Sequence, residues 1–365
     1  MKINILLPYK EKFDENKASS VSITVKNNLS HTKFLSHIKV YGKNVEKPLF
    51  KDNFEGIKYS IFSLKSKNAF LAYKMLKIMS KESSKKQLIE IHNRPYLVDQ
   101  IAKANNFPIT LFLHNDPQTM KGSKSVKDRK NILKKCAAVF CVSEYIKNKF
   151  LEGVLIKNEK VHVLHNGVDR QLKKFPIKKK EILFVGRLVF EKGVDLFIDV
   201  IKSIAVRFPD WSFVLIGSSK LGENDNVNSY AYKIAEKFKA IGAQAKFYGF
   251  KNHDFVQEKM KNGSIIIIPS LWEEPFGLVV AEAMSNGLAI IASKVGGIPE
   301  IVEENGILID NINHNKLEEA IIDLIKNKDK REMLQQKAWD NFKFTSSASS
   351  KKLDNFRKVI FQNYF

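Results

Sequence analysis

Two carboxylates, Glu274 and Glu282, stand with seven residues between them in the segment PSLWEEPFGLVVAEAMSNGLAIIASKVGGIPEIV, residues 269–302. A carboxylate only accepts hydrogen bonds and a sugar hydroxyl can donate one, so the pair suits a polyhydroxylated ligand. The apolar run Ile265–Ile268 reads as a strand ending in a Pro/Ser/Trp loop, and the loop opens a helix at about Pro275–Gly277. Helix N-termini present unpaired amides to anions, and Gly277 lets a phosphate or sugar come close to them. Glu274 then stands just before the helix and Glu282 on its second or third turn, within reach of one ligand of nucleotide-sugar length. The competing reading of the same pair is two carboxylates that complement the helix dipole.

A second constellation is Gly186-Arg187-Leu188 followed by Glu191-Lys192-Gly193, just after the run EILFV. Arginine forks across two phosphate oxygens and lysine adds a movable point charge. Together they can neutralise a departing diphosphate without a metal, and no metal-ligand cluster occurs in the sequence. Taken alone, an Arg and a Lys at a strand end are solvated side chains. Their place at the carboxyl end of a strand, where doubly wound sheets bind ligands, favours a functional role. His114 follows the buried run LFL in the same way, although a lone histidine there is as often a packed structural residue. His92-Asn93-Arg94-Pro95 also follows a strand, and Arg94 suits either an anionic acceptor or a structural salt bridge.

The segment 269–302 resembles the signature of the retaining glycosyltransferases of family four, which have the GT-B fold. Glu274 and Glu282 match that family's glutamate pair, and Gly296-Gly297-Ile298-Pro299-Glu300 matches the small-residue turn after it. FVGRLVFEKGVDLFIDV, VHVLHNGVD, CVSEY and IHNRP also look like family positions, so the resemblance spans essentially the whole chain. It implies that Glu282 holds the ribose hydroxyls of a nucleotide-diphosphate sugar and Glu274 the hydroxyls of the transferred sugar. The amides of Phe276, Gly277 and Leu278, with Gly186, would complete the sugar and phosphate site. Arg187 and Lys192 would hold the phosphates, and His114 would orient the sugar. The donor, a UDP- or GDP-sugar, is substrate and no further cofactor is implied. The acceptor would be a glycan or lipid-linked glycan of the cell envelope, such as a lipopolysaccharide core, glycosylated with retention of configuration.

One stretch departs from that pattern. Many relatives carry a Gly-Gly loop after the first strand, whereas here the corresponding residues are Asp14-Glu15-Asn16-Lys17-Ala18-Ser19-Ser20-Val21. A residue with a β-carbon resists positive φ, which puts the donor contact from this side in doubt.

The elements that must position these residues alternate as strand and helix, the pattern of βα units around parallel sheets. Strands are expected at Ile3–Leu7, Ile38–Tyr41, Leu88–Ile91, Ile109–Leu113, Ala138–Val142 and Val161–Leu164. After the linker at 165–180 the pattern restarts, with strands at Ile182–Gly186, Ser212–Ile216, Ala245–Tyr248, Ser264–Pro269, Ala289–Ala292 and Gly306–Leu308. A helix over Lys65–Lys81 would bury Phe70, Tyr73, Leu76 and Met79, and Lys316 onward reads as helical to the end. The fold class is therefore α/β: two doubly wound Rossmann-like domains facing a central cleft. The first, acceptor-binding, domain would comprise residues 1–168 with the last helix, about 344–365, crossing back to it. The second, donor-binding, domain would comprise 171–343.

Composition narrows the surroundings. The chain has 365 residues and a formal charge of +22, and residues 1–170 hold 32 Lys+Arg against 15 Asp+Glu. Residues 121–135 carry seven basic residues and one acid. Such a field draws anions, and peripheral contact with an anionic membrane is expected, against the competing reading of a generally lysine-rich chain. Cys136 and Cys141 form neither a disulfide framework nor zinc spacing, which suits a reducing, cytoplasmic compartment. No apolar run approaches the roughly 20 residues of a membrane span. An epimerase or phosphorylase on the same scaffold is the rival enzyme, though no local pyridoxal-lysine signature is evident. A basic nucleic-acid-binding protein is the non-enzyme rival, but 121–135 lacks the aromatics of a reader module, so no nucleic acid partner is expected.

Overall fold

The computed structural model describes residues 1–15, 18–155, 159–219 and 229–365; Asn16 and Lys17 of the Asp14–Val21 loop lie outside the described residues. The chain forms two compact units, Met1–Gly167 with Phe344–Phe365, and Val168–Lys343.

The first unit is built on seven strands: β1 (Lys2–Leu6), β2 (Ile38–Lys43), β3 (Phe54–Ile57), β4 (Gln87–His92), β5 (Ile109–Leu113), β6 (Ala138–Cys141) and β7 (Val161–Val163). They pair all-parallel in the order β3-β2-β1-β4-β5-β6-β7. A parallel sheet needs helical crossovers on its faces, which is why its central strands are apolar on both sides: Ile3, Ile5, Leu88, Ile89 and Leu111 are all buried. The order reverses between β1 and β4, and the loops after those strands diverge there as in other doubly wound sheets. The final helix, Ser346–Tyr364, belongs to this unit. It is held by a buried fork, in which Arg357 Nε and Nη2 donate to the two carboxylate oxygens of Glu90 on β4, each at 2.8 Å. Arg357 Nη1 also donates to Asp354 Oδ1 at 3.1 Å.

The second unit has β8 (Glu181–Val185), β9 (Ser212–Ile216), β10 (Ala245–Gly249), β11 (Ile265–Ile268), β12 (Ala289–Ser293) and β13 (Gly306–Ile309). Their order is β10-β9-β8-β11-β12-β13, again all-parallel. The reversal falls between β8 and β11. Ile182, Phe213, Ile265, Ile267 and Ile291 of these strands pack with Phe197, Ile201 and Phe238 of the flanking helices into one core.

Four local expectations are corrected. The edge strand β3, sequence FEGI, was not anticipated, because a polar and a glycine residue sit at its centre. The helix expected over Lys65–Lys81 spans Lys67–Met79, and its buried stripe is Phe70, Leu71, Ala72, Met75 and Met79. Tyr73 stands 46% exposed on the other side, so the apolar face is turned from the one read. The C-terminal stretch is three helices, His314–Lys326, Lys328–Asp340 and Ser346–Tyr364. Asn327 and Thr345 interrupt it, each side chain accepting from a backbone amide to cap the next helix. Among the described residues, no helix is long and apolar enough to cross a membrane.

Candidate active site

In the second unit the switch between β8 and β11 gathers the proposed donor residues. Gly186 and Arg187 leave the carboxyl end of β8, and Pro269 to Phe276 leave that of β11. The two loops are tied by the Leu271 amide donating to the Glu191 carbonyl at 2.8 Å. That tie seats Lys192 beside Glu274, and the Lys192 ammonium donates to Glu274 Oε1. The Ser270 hydroxyl donates to the same oxygen at 2.7 Å. Both contacts fall on Oε1, which leaves Oε2 to accept from a ligand hydroxyl. Glu274 is only 6% exposed, so its charge depends on these partners. Lys192 Nζ also lies 5.4 Å from the Trp272 ring centroid, against the face of a half-exposed indole.

The small-residue turn fixes the loop from below. Gly296 has φ +56°, and a β-carbon there would fall 2.2 Å from the Glu274 carbonyl oxygen. The Gly297 amide donates to that same carbonyl at 2.7 Å, and the Gly296 amide donates to Glu273 Oε2. Any side chain at 296 would therefore push the Glu274 backbone out of place.

The helix after the loop is Leu278–Ser285, beginning directly after the expected opening at about Pro275–Gly277. Gly277 is its N-cap at φ 92°, a left-handed turn that must precede the first helical residue. The Gly277 and Leu278 amides have no acceptor among the described residues, as at other helix N-termini. Glu282 lies on the second turn, and its side chain faces His253 with Nδ1 3.7 Å from Oε1. Burial pushes the Glu282 carboxyl up to about 7. Arg187 is exposed and forms no ion pair among the described residues. Lys192 and Glu274 are thus in direct contact, whereas Glu282 turns to His253 instead of Glu274.

In the first unit, His114 follows β5 and meets His92 at the end of β4, with His114 Nε2 and His92 Nδ1 2.9 Å apart. His92 stacks on Phe112 with ring centroids 4.4 Å apart. The Asn93 side-chain oxygen accepts from the His114 amide at 2.9 Å, and Asn93 takes φ 52° to make that reach. Burial pushes His114 down to about 4 and His92 well below its ordinary value, so both rings are neutral. Thr24, Asn28, His92, His114, His165 and Asn166 line a small pocket here. Arg94 folds back onto the Asn93 carbonyl. In the loop after β1, Ser19 keeps an extended φ of −84° and precedes the helix Ser20–Leu29.

Sequence reading passed over four participants. Ser270 and Trp272 were read only as loop residues. His253 reaches Glu282 from a separate helix, His253–Asn262, four residues beyond the end of β10, a strand-end position that could have marked it. His92 was noted only for the tetrapeptide it begins.

The comparisons with known proteins agree with this architecture. Residues 168–340 match the family model for glycosyl transferases group 1, and residues 38–172 match that for Glycosyltransferase Family 4. Together the two matches span residues 38–340, a Family 4 glycosyltransferase region followed by a group 1 region, on the GT-B fold of two Rossmann-like domains. An uncharacterized glycosyltransferase of Methanocaldococcus jannaschii is 38% identical over 200 residues, 54% of this chain and 52% of that protein. Spore coat protein SA of Bacillus subtilis is 28% identical over 69% of this chain and 72% of its own length. The chain spans about half the length of the first curated relatives it matches. Among solved structures, Anabaena HepE in complex with UDP superposes with a TM-score of 0.76 at 19% identity, covering 98% of this chain and 100% of that one. The lipopolysaccharide outer core galactosyltransferase WaaB superposes at 0.71 with 17% identity, covering 98% and 99%.

Proposed function

We propose that this protein transfers a hexose from a nucleotide-diphosphate sugar to a glycan or lipid-linked acceptor of the cell envelope, with retention of configuration. The observation that carries the reading is the pairing of Lys192 with Glu274 at the β8/β11 switch, with Glu282 on the second turn of the helix that follows. Glu282 is assigned to the ribose hydroxyls and Glu274 Oε2 to hydroxyls of the transferred sugar. The amides of Phe276, Gly277 and Leu278, with Gly186, are assigned to the sugar and diphosphate. Arg187 and Lys192 receive the charge that develops on the departing phosphate, which lowers the barrier electrostatically. The bond from the anomeric carbon to the phosphate oxygen breaks, and the acceptor oxygen bonds to that carbon on the same face. The acceptor proton passes to the leaving phosphate. His114, neutral through the working range, is assigned to hydrogen-bond a sugar hydroxyl and not to carry a proton.

UDP is favoured over GDP by likeness alone, since HepE has been solved with UDP and glucose and with UDP-glucose. An envelope acceptor is supported by the likeness to WaaB. The basic segment 121–135 is proposed to bring the protein to the inner face of the cytoplasmic membrane by charge. Incubation with UDP-glucose, UDP-galactose and GDP-mannose, with proton NMR of the released sugar or product, tests the reading. An α-linked product from an α-linked donor is expected. A β-linked product would remove retention, and failure to turn over any nucleotide sugar would remove the activity.

A further inference from the structure

We infer that the turn 58–66 of the first unit inserts into an anionic lipid bilayer through Ile61, Phe62 and Leu64. These side chains are 85%, 89% and 105% exposed, and no other four-residue stretch among the described residues carries three such large apolar groups. Among the described residues, Leu155, Ile177 and Val206 are as exposed, but none has a second apolar group of that exposure within four residues, as for scattered surface apolars. The turn is built, not loose. The Tyr59 hydroxyl donates to the Lys65 carbonyl at 2.9 Å and lies 3.3 Å from the Ser63 carbonyl. The Ser63 amide donates to the Ser60 carbonyl at 3.0 Å. The Tyr59 ring is anchored edge-on against buried Phe70, with centroids 5.2 Å apart, and against Tyr9 at 6.0 Å. Tyrosine thus takes the inward side of the turn, and the three aliphatic and aromatic residues are left on the outward side.

The charge around the tip selects the occupant. Residues 58–81 contain six lysines and no acid. Lys58, Lys65 and Lys67 beside the tip are exposed. Lys67 lies over the Tyr9 and Tyr59 rings at 5.3 and 5.9 Å, and Lys65 over Tyr73 at 5.4 Å. This is an apolar wedge ringed by snorkelling ammonium groups with tyrosines at the same level, which fits acyl chains below and anionic headgroups above. A protein partner fits less well, because one turn offers far fewer than the roughly 20 residues a side of a stable interface, and lysine is depleted from interface cores. The inference goes beyond the proposed activity: donor chemistry needs no bilayer, and attraction of segment 121–135 by charge needs no insertion.

The test uses the full chain and vesicles of phosphatidylcholine with or without phosphatidylglycerol, and reads binding, not turnover. The wild type is expected to sediment with the phosphatidylglycerol vesicles. The combined variant Ile61→Ser, Phe62→Ser and Leu64→Ser should lose about tenfold or more in vesicle affinity, because only the apolar contribution is removed. Its melting temperature and its hydrolysis of soluble donor should stay at the wild-type level, since no removed side chain is buried. A Phe62→Trp variant should show blue-shifted emission and quenching by brominated lipid beyond that of the native tryptophans. Equal sedimentation of the wild type and the triple serine variant overturns the inference, as does a bound Phe62→Trp protein with no added quenching. Self-association that the serine variant abolishes, without vesicle binding by the wild type, overturns it in favour of a protein contact.

Discussion

The Lys192 ammonium and the Glu274 carboxylate meet at the carboxyl ends of β8 and β11, with Ser270 donating to the same Glu274 oxygen. A charge held this way is oriented before any ligand arrives. Glu274→Gln keeps the shape and the Ser270 contact but removes the negative charge. It is expected to lower kcat by about a hundredfold or more with a small change in donor KM, as for a group whose interaction strengthens in the transition state. Steady-state kinetics on the purified variant checks this, and a change confined to KM would contradict the assignment. Lys192→Ala strands a buried carboxylate and should cost about 2 kcal/mol of stability as well as activity.

Glu282 supplies a pH dependence. The folded state holds its proton more tightly than the unfolded chain, so this group's contribution to stability falls as pH rises from 4.5, its ordinary value, to about 7. Ribose hydroxyls would donate to the ionised form. Affinity for UDP-glucose, whose diphosphate does not titrate in this range, is therefore expected to rise up to about tenfold per unit below pH 7 and to level off above it. Calorimetric titration between pH 5 and 8 gives the readout, and Glu282→Gln should flatten the curve.

His92 and His114 form a neutral pair in which one ring nitrogen donates to the other at 2.9 Å. His92 is a positioning residue on this account. His92→Phe preserves the stack on Phe112 but frees the His114 ring to turn, so kcat should fall by about tenfold while donor KM changes little. The pH–rate profile should show no limb from His114 ionisation above pH 5, because burial holds that ring at about 4. His114→Asn, which still hydrogen-bonds, should retain more activity than His114→Ala.

The buried fork between Arg357 and Glu90 makes the last helix part of the first unit. Removing one member, as in Glu90→Leu, leaves a buried guanidinium short of partners and should cost about 3–5 kcal/mol. Replacing both, with Arg357→Met added, should recover much of that loss. Thermal unfolding of the single and double variants, with donor affinity as control, separates this structural role from the site.

Much of the fold was legible because central parallel strands are continuous apolar runs: IIII at β11 and ILFV within β8 admit few other readings. Sequence reading failed where burial is one-sided or a residue acts through space. β3 is a four-residue edge strand with Glu55 and Gly56 at its centre, too short for alternation to declare itself. The helix Lys67–Met79 has apolar residues all round, so its period fitted the Tyr73 face as well as the Met75 face that is buried. At the site, residue type and strand-end position marked Glu274, Lys192 and His114. His253 and Asn93 act on partners more than 20 residues away, which no local spacing announces, and Ser270 acts within its own loop on a residue four positions on, where a serine has many bland readings.

The central claim is that one sugar diphosphate is bound by the Arg187–Lys192 loop together with the segment from Glu274 to Glu282. A thermal-shift panel of UDP-, GDP- and ADP-sugars on the wild type and on Glu282→Ala tests it most directly. A rise in melting temperature with one nucleotide class, lost in the variant while its unliganded melting temperature is kept, is the predicted result. Stabilisation of equal size in both proteins would place the nucleotide elsewhere and contradict the account.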